Sequence, residues 1–506
     1  MSAPRKLLIV ACCTERWMHI PVGVFGVSSY LKRHGLEHQI LHTHVQSMDE
    51  AMDILDAHIK EGWCFALIMH WKEDCSTFFG VSNYLMSRIH DPSRVVCGGI
   101  TSSFFAKEIV QTAGLPDTVF RGDPEEPIRK YCQGLPLETI ENITWAHGGQ
   151  IEEKPITWRL DTDGFSSLSF TDFSMLIHRD RYFRAINRGY LHINISRGCQ
   201  VNCEFCGGSS SAFLRHSDRT GTIVRPTHRV LEDIDQLLQF ARSLEPVVRI
   251  HMDDVWDNYF PVLQALSQHP SAKSLFVVVA DRNAIDINRL KASLDVFKSF
   301  QTFLFEIAPE SDDRNQRACL MEGAGKEIYD ADYLLEMFDF LNKNGIYCTV
   351  FYTVYNSMDT EAQVFRRLKT CRDLQRRVDP VLTRVLCMGL SLDCGSNEYA
   401  ALPNPPTLAD YLHPEKRFTD LLGNLTYIRK PEDVDLILAA QFFIMLMNGR
   451  IGAVGSQVPA DFWPESEEVM AVIREFQIST LIQQEIVTSG RYADFMVQKI
   501  MEKRRR

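Results

Sequence analysis

Three cysteines fall within eight positions of "NISRGCQVNCEFCGG": Cys199, Cys203 and Cys206, followed at once by Gly207 and Gly208. Thiolates at this density can hold zinc, pair as disulfides or grip an iron–sulfur cluster. Structural zinc takes four closed tetrahedral ligands, normally as two separated pairs. No second pair stands nearby, so zinc would need a histidine such as His192 or His216 as its fourth ligand. Disulfides leave one cysteine over. The other cysteines of the fourteen sit mostly in apolar runs, as Cys64, Cys97, Cys348 and Cys387 do, and read as core hydrophobes of a reducing compartment. Three thiolates suit a cubane of four irons and leave one iron without a protein ligand, which makes it a binding position. The triplet reads best as a reactive cluster site, with zinc as the alternative.

The elements that must position it follow from the hydrophobic pattern. Over residues 1–135, "KLLIVAC", "EHQILHTH", "CFALIMHW", "RVVCGG" and "DTVFRGD" read as buried strands, alternating with glycine-ended amphipathic helices. This alternation predicts an α/β, doubly wound (flavodoxin- or Rossmann-like) domain of five parallel strands. Its ligand loops lie beyond the carboxyl ends of the strands, among them "CGGITSS" and "RGDPEEP". Residues 136–190 are polar and turn-rich and read as a linker or wrap.

From 191 to 404 six strand-like runs alternate with helices, starting with "LHINISRG", which leads straight into the cysteines. This predicts a partial (β/α)6 barrel, two units short of a full one. Residues 405–506 read as helical, and the Met, Phe and Leu stripe of "EDVDLILAAQFFIMLMNG" reads as core. At 506 residues the chain is too long for one core, so two or three domains are expected.

Bulk composition excludes whole classes. A net charge of −11 lacks the footprint of a nucleic-acid binder, and the closing "EKRRR" reads as a solvated helix end. No apolar run could span a bilayer and the N-terminus carries no convincing export signal, so no membrane partner and a cytoplasmic location are expected.

"CQVNCEFC" resembles the CxxxCxxC signature of the radical S-adenosylmethionine (SAM) enzymes, including the aromatic Phe205 before the last cysteine. The resemblance implies that Cys199, Cys203 and Cys206 ligate a 4Fe-4S cluster, that SAM chelates its open iron, and that an electron from a flavodoxin- or ferredoxin-type donor splits SAM to a 5′-deoxyadenosyl radical. It further implies SAM contacts from Phe205 and Gly207. Asp253 and Asp254 of "HMDDVWDN" follow as SAM contacts or helix caps, and Glu306, Glu310 and Ser311 of "FEIAPES" as SAM contacts.

The N-terminal domain is similar to the cobalamin-binding module of one large radical SAM subfamily. That likeness implies corrinoid contacts from Pro21 and Gly23 of "IPVGVFGV", from Gly98, Gly99, Thr101 and Ser102 of "CGGITSS", and from Gly122 and Glu125 of "RGDPEEP". The Asp-x-His-x-x-Gly motif that gives some relatives a cobalt ligand is absent. His19 and His70 then read as ordinary hydrogen-bonded histidines rather than cobalt ligands. Together the two modules imply cobalamin-dependent methylation of an unactivated carbon, or phosphorus, in a small metabolite or natural-product intermediate. A radical rearrangement or oxidation, non-radical methyl transfer and a zinc-binding sensor are the alternatives. The helical C-terminus is expected to close over the substrate, whose identity, like the oligomeric state, is not legible.

Overall fold

The computed structural model describes residues 4–13, 19–44, 47–188, 190–281, 285–309, 314–322, 331–355, 359–389, 393–402, 404–412, 433–447, 462–477 and 491–505. It divides into two compact units, one of residues 1–281, 293–303 and 393–400, the other of residues 282–292, 304–392 and 401–506.

The first unit opens with β1 (Leu7–Ala11), α1 (Val22–Arg33), β2 (His38–His42), α2 (Met48–Lys60), β3 (Cys64–Ile68), α3 (Cys75–Met86) and β4 (Val95–Gly98). Helices α4 (Ile100–Phe104) and α5 (Ala106–Gln111), strand β5 (Thr118–Phe120) and helix α6 (Glu125–Cys132) follow. All five side chains of "LLIVA" in β1 are buried, as a parallel strand covered on both faces requires. Ser47 starts α2 with a reciprocal cap, accepting from the Glu50 N–H while the Glu50 carboxylate accepts from its own. The strands run parallel in the order β2-β1-β3-β4-β5, so the chain reverses direction across the sheet between β1 and β3. In a doubly wound sheet that switch point is where ligands bind.

The stretch expected to be only a linker extends this sheet. β6 (Ile143–His147) and β7 (Gln150–Glu153) add two antiparallel strands beside β5. Gly148 and Gly149, with φ of +57° and +80°, form the two-residue turn, a backbone that only glycine takes without strain. Helices α7 (Thr162–Ser166) and α8 (Arg179–Asn187) follow, and Phe165 and Phe170 pack with Leu160 and Leu168 in a small core of their own.

The first unit continues with β8 (Leu191–His192), β9 (Ser196–Arg197), β10 (Asn202–Cys203), α9 (Ser210–Ser217), β11 (Ile223–Val224), α10 (Thr227–Ala241), β12 (Val248–Asp254), α11 (Trp256–Ser267) and β13 (Leu275–Asp281). β12 lies parallel between β8 and β13.

The second unit holds α12 (Ile287–Ala292). After α13 (Leu294–Lys298) of the first unit come β14 (Thr302–Ile307), α14 (Arg314–Leu320), β15 (Met321–Glu322), α15 (Ala331–Lys343), β16 (Tyr347–Tyr355), α16 (Glu361–Arg377) and β17 (Thr383–Gly389). β16 lies parallel between β14 and β17. All six strands expected between 191 and 404 are therefore formed. The sixth ends sooner than expected, because Asp393, Cys394 and Gly395 of "LDCG" leave the strand and pack in the first unit ahead of α17 (Asn397–Ala400).

The C-terminal residues are helical as expected: α18 (Leu408–Leu412), α19 (Asp433–Met447), α20 (Ser466–Glu475) and α21 (Arg491–Arg505). Leu438, Ala439, Phe442 and Phe443 of α19 are buried, which makes the apolar stripe core. Arg504 pairs with Glu468 at 2.7 Å and Lys503 with Glu475, so much of the closing basic run is neutralised by α20. No described helix is long and apolar enough to cross a membrane.

Candidate active site

The cysteine loop leaves β9 through Gly198, whose φ is +93° and where a Cβ would stand 2.4 Å from the Gly221 carbonyl oxygen. Any other residue would force the loop off β11. Ser210 N–H closes the loop on the Val201 carbonyl at 3.1 Å, and the Ser209 hydroxyl caps α9 by accepting from Ala212 N–H at 3.3 Å. Cys199 is buried, while Cys203 and Cys206 are half-buried. Backbone N–H groups of Val201 and Gly208 point at the sulfurs of Cys199 (3.4 Å) and Cys206 (3.3 Å). Such donors favour the thiolate, which is the form that binds metal. Among the described residues no three His, Cys, Asp or Glu side chains converge closely enough to share one metal ion. Three thiolates suit a multi-iron cluster that takes one thiolate per iron. The donor set fits the cluster.

Gly207 sits where nothing larger fits, since a Cβ there would lie 2.7 Å from the Cys394 carbonyl oxygen. The returning segment 393–400 clasps the loop further: Asp393 N–H donates to the Phe205 carbonyl at 3.0 Å and Glu398 N–H to that of Glu204 at 2.8 Å. Phe205 itself is half-buried.

The two aspartates after "HM" part company. Asp253 is exposed near the end of β12. Asp254 is buried and saturated, accepting from the Ser196 hydroxyl, from Val255 N–H at 2.8 Å and from Asn258 Nδ2 at 2.9 Å. These bonds tie the strand ahead of α11 to Ser196 and Asn258, and α11 itself starts after Val255 without a side-chain cap. Glu306 is half-buried on β14, and burial followed by its charge pushes the Cys348 thiol above the ordinary range. Glu310 and Ser311 lie outside the described residues.

Around the sheet's switch point, Pro21 and Gly23 are half-buried, and no described atom lies within 4 Å of a Cβ built on Gly23, so the described residues leave that edge open. Gly98 ends β4, with a Cβ position 3.4 Å from the Phe120 carbonyl. Gly99, at φ +113°, lets its loop press on β3, for a Cβ there would lie 2.3 Å from the Met69 carbonyl oxygen. Thr101 locks the same contact by donating its hydroxyl to the His70 carbonyl at 2.8 Å, and Ser102 is buried behind it. An open edge framed by a close-packed glycine turn fits a broad ligand such as a corrinoid.

Gly122 and Glu125, expected as corrinoid contacts, sit in a tightly packed turn beside the cysteine loop. Gly122 packs on Ser217, whose Cα would stand 3.1 Å from a Cβ at that position, and Glu125 is wholly buried with one oxygen on Arg197 at 2.7 Å. Asp123 joins Arg197 at 3.1 Å and also pairs with Arg219. Burial raises the Asp123 carboxyl, but the two guanidinium groups outweigh it and hold it below the usual range. Arg197 lies two residues before Cys199, so this network seats the cysteine loop on the N-terminal sheet. Nothing in the sequence spacing foretells it.

Sequence patterning also misses a nest of imidazoles. His192 and His251 meet Nδ1 to Nδ1 at 2.9 Å, His19 lies edge-on to His192 at 5.0 Å, and Tyr190 stacks on His251 at 4.7 Å. Burial, then the neighbouring His251 and His19, pulls the His192 imidazole down to about 3. His19 is lowered by burial and by His251, and His70 falls to about 4 through burial and His216. His216 is also lowered to about 4, by burial. The lowered values keep His70, His192 and His216 neutral near pH 7. A small cavity beside the nest is lined by His19, Phe25, Phe173, Tyr182 and His192.

Solved structures share this architecture across nearly the whole chain. TsrM from Kitasatospora setae, a radical S-adenosylmethionine methyltransferase solved with tryptophan substrate and a SAM analog, matches at TM-score 0.66 and 12% identity, over 99% of each chain. OxsB, a cobalamin-dependent S-adenosylmethionine radical enzyme with aqua-cobalamin and SAM bound, matches at TM-score 0.64 and 12% identity over 99% of this chain and 79% of that one. The fold is that of the cobalamin-dependent radical SAM enzymes. It pairs an α/β N-terminal domain of the doubly wound, cobalamin-binding type with a partial (β/α)6 radical SAM barrel and a helical C-terminal region. At the level of sequence, the hopanoid C-3 methylase of Methylococcus capsulatus is 29% identical over 244 residues, which are 46% of this chain and 42% of that one. The match thus spans well under half of that relative's length. No protein-family model matches the chain.

Proposed function

We propose that the chain is a cobalamin-dependent radical SAM methyltransferase acting on an unactivated carbon, or phosphorus, of a small metabolite or natural-product intermediate. The observation that carries this is the glycine-bounded loop bearing Cys199, Cys203 and Cys206 with backbone N–H groups aimed at two of the sulfurs. Likeness in fold to TsrM and OxsB, and in sequence to a methylase, supports it.

In this reading the three cysteines hold a 4Fe-4S cluster, residues 1–135 form the cobalamin domain and residues 191–404 the radical domain. When bound, the cluster and SAM supply a radical that takes hydrogen from the substrate, and cobalamin supplies the methyl group. The chain positions and shields these groups. Gly207 keeps the cluster loop tight against Cys394, Phe205 offers a flat face to an adenine, and the exposed Asp253 offers a carboxylate to SAM. Pro21 and Gly23 border the corrinoid, and the Gly98–Gly99 turn with Thr101 and Ser102 shapes its floor. The acidic chain suits a small-molecule substrate better than RNA. A flavodoxin- or ferredoxin-type protein would donate the electron, in the reducing cytoplasm where half-buried thiolates such as Cys203 and Cys206 stay reduced.

The test is anaerobic turnover of the reconstituted protein with SAM, a reductant, methylcobalamin and host extract, read by mass spectrometry. A methylated product together with 5′-deoxyadenosine is the expected result. Deoxyadenosine without a methylated product would assign a different radical outcome; methylation without deoxyadenosine would make the transfer non-radical.

A further inference from the structure

Lys72 follows β3 at the switch point of the sheet, yet only 4% of its side chain is exposed. A buried ammonium group needs a partner. Nζ donates to Asp393 Oδ1 at 2.8 Å, and Glu73 Oε1 stands at 3.9 Å. Burial pulls the ammonium toward neutrality, but Asp393 and Glu73 reverse this and hold it above the ordinary lysine value.

Asp393 spends its other oxygen on the cysteine loop, where Oδ2 accepts the Gly207 N–H at 3.3 Å, while its own N–H donates to the Phe205 carbonyl at 3.0 Å. The next N–H along, that of Gly208, donates to Cys206 Sγ at 3.3 Å. Arg215 of α9 anchors the same segment by donating to the Gly395 carbonyl at 2.6 Å. One carboxylate therefore joins a cation of the N-terminal sheet to the turn that carries Cys206.

We infer that Lys72 and Asp393 are positioning residues for the cluster: their ion pair fixes the Phe205–Gly208 turn so that the Gly208 N–H faces the Cys206 sulfur and tunes the cluster's potential. The tuning rests on the radical SAM reading; the fixing of the turn does not. An N–H donor to a ligand sulfur and a nearby cation both stabilise added negative charge, so both raise the reduction potential. Losing them acts in one direction.

The experiment compares full-length wild type with Lys72→Met, Lys72→Arg and Asp393→Asn. Backbone hydrogen exchange of residues 205–208 is measured in the apoprotein, and the midpoint potential and electron paramagnetic resonance of the reconstituted cluster are measured beside it. Lys72→Met is expected to speed exchange at Gly207 and Gly208 by about tenfold or more while distant strands stay protected. Its cluster should show a more negative midpoint and an altered spectrum. Asp393→Asn, which keeps an acceptor but loses the charge, should speed exchange less, and because it leaves the Lys72 cation without its carboxylate its midpoint should lie above that of Lys72→Met. Lys72→Arg should restore both readouts. If Lys72→Met does not fold, Lys72→Gln and Asp393→Asn carry the comparison. Exchange within twofold of wild type in the charge-removing variants would overturn the inference, as would an unchanged potential. Wild type that takes up no iron and sulfide would instead sink the radical reading, and the exchange data would still decide the fixing of the turn.

Discussion

At the scale of single residues, the fold spends its strictest constraints on bringing loops together. Gly99 has φ +113° and its Cβ position collides with the Met69 carbonyl. Gly99→Ala is therefore expected to destabilise the N-terminal domain by about 1–3 kcal/mol or more, measured by chemical denaturation, and to lower cobalamin retention. Arg197 offers a sharper case because its two partners are buried carboxylates, with Glu125 wholly out of water. Arg197→Met would leave Asp123 and Glu125 short of a cation at a cost of about 3–5 kcal/mol, visible as a fall in denaturation midpoint even in the apoprotein. A loss under about 1 kcal/mol would show the network to be solvated after all. The cysteines are the legible part of the site, because thiol density and spacing follow from ligand chemistry alone. Lys72, Asp393 and Arg197 are not, because each acts on a residue dozens to hundreds of positions away and nothing local marks it. For Glu125 the turn motif fixes where the residue stands but does not reveal the guanidinium of Arg197 beside it.

Strands and helices are more readable than the loops between them. β1, β3, β4 and β13 are largely apolar runs of four to seven residues, and burial on both faces leaves such runs little alternative. The β6–β7 hairpin escapes sequence reading because its strands are short and its outer strand is polar: β7 is "QIEE", largely exposed, and only the Gly148–Gly149 turn announces it. β17 reads too long because "SLDCG" continues its apolar character past Gly389, whereas the packing of Asp393 depends on a distant lysine. These elements also set a pH dependence, since β8, the loop after β3 and α9 carry His192, His70 and His216, all neutral near pH 7. Their folded values near 3 to 4 lie below the ordinary 6.5, so the unfolded chain binds more protons as pH falls. Stability from these groups is complete above pH 6.5 and is lost as pH drops toward 4, by about 1.4 kcal/mol per pH unit for each histidine. Urea midpoints measured across this range should fall with acidity, and His192→Gln should flatten the slope. A flat wild-type profile would contradict the burial of these rings.

For the molecule as a whole, the central claim is that three thiolates leave one iron open to SAM, and everything proposed about methyl transfer depends on it. Cys199→Ala, Cys203→Ala and Cys206→Ala are each expected to abolish uptake of a stable 4Fe-4S cluster, shown by iron and sulfide analysis, while leaving the far-ultraviolet circular dichroism of the chain unchanged. The net charge of −11, with Lys503 and Arg504 paired to α20, suits the proposed small-molecule substrate better than a phosphate backbone. The most direct measurement is spectroscopy of the anaerobically reconstituted, reduced wild type before and after SAM is added. About four irons and four sulfides per chain are expected, with a paramagnetic signal that changes when SAM occupies the open iron. Zinc in place of iron, or a cluster whose signal ignores SAM because a fourth side chain caps it, would contradict the account.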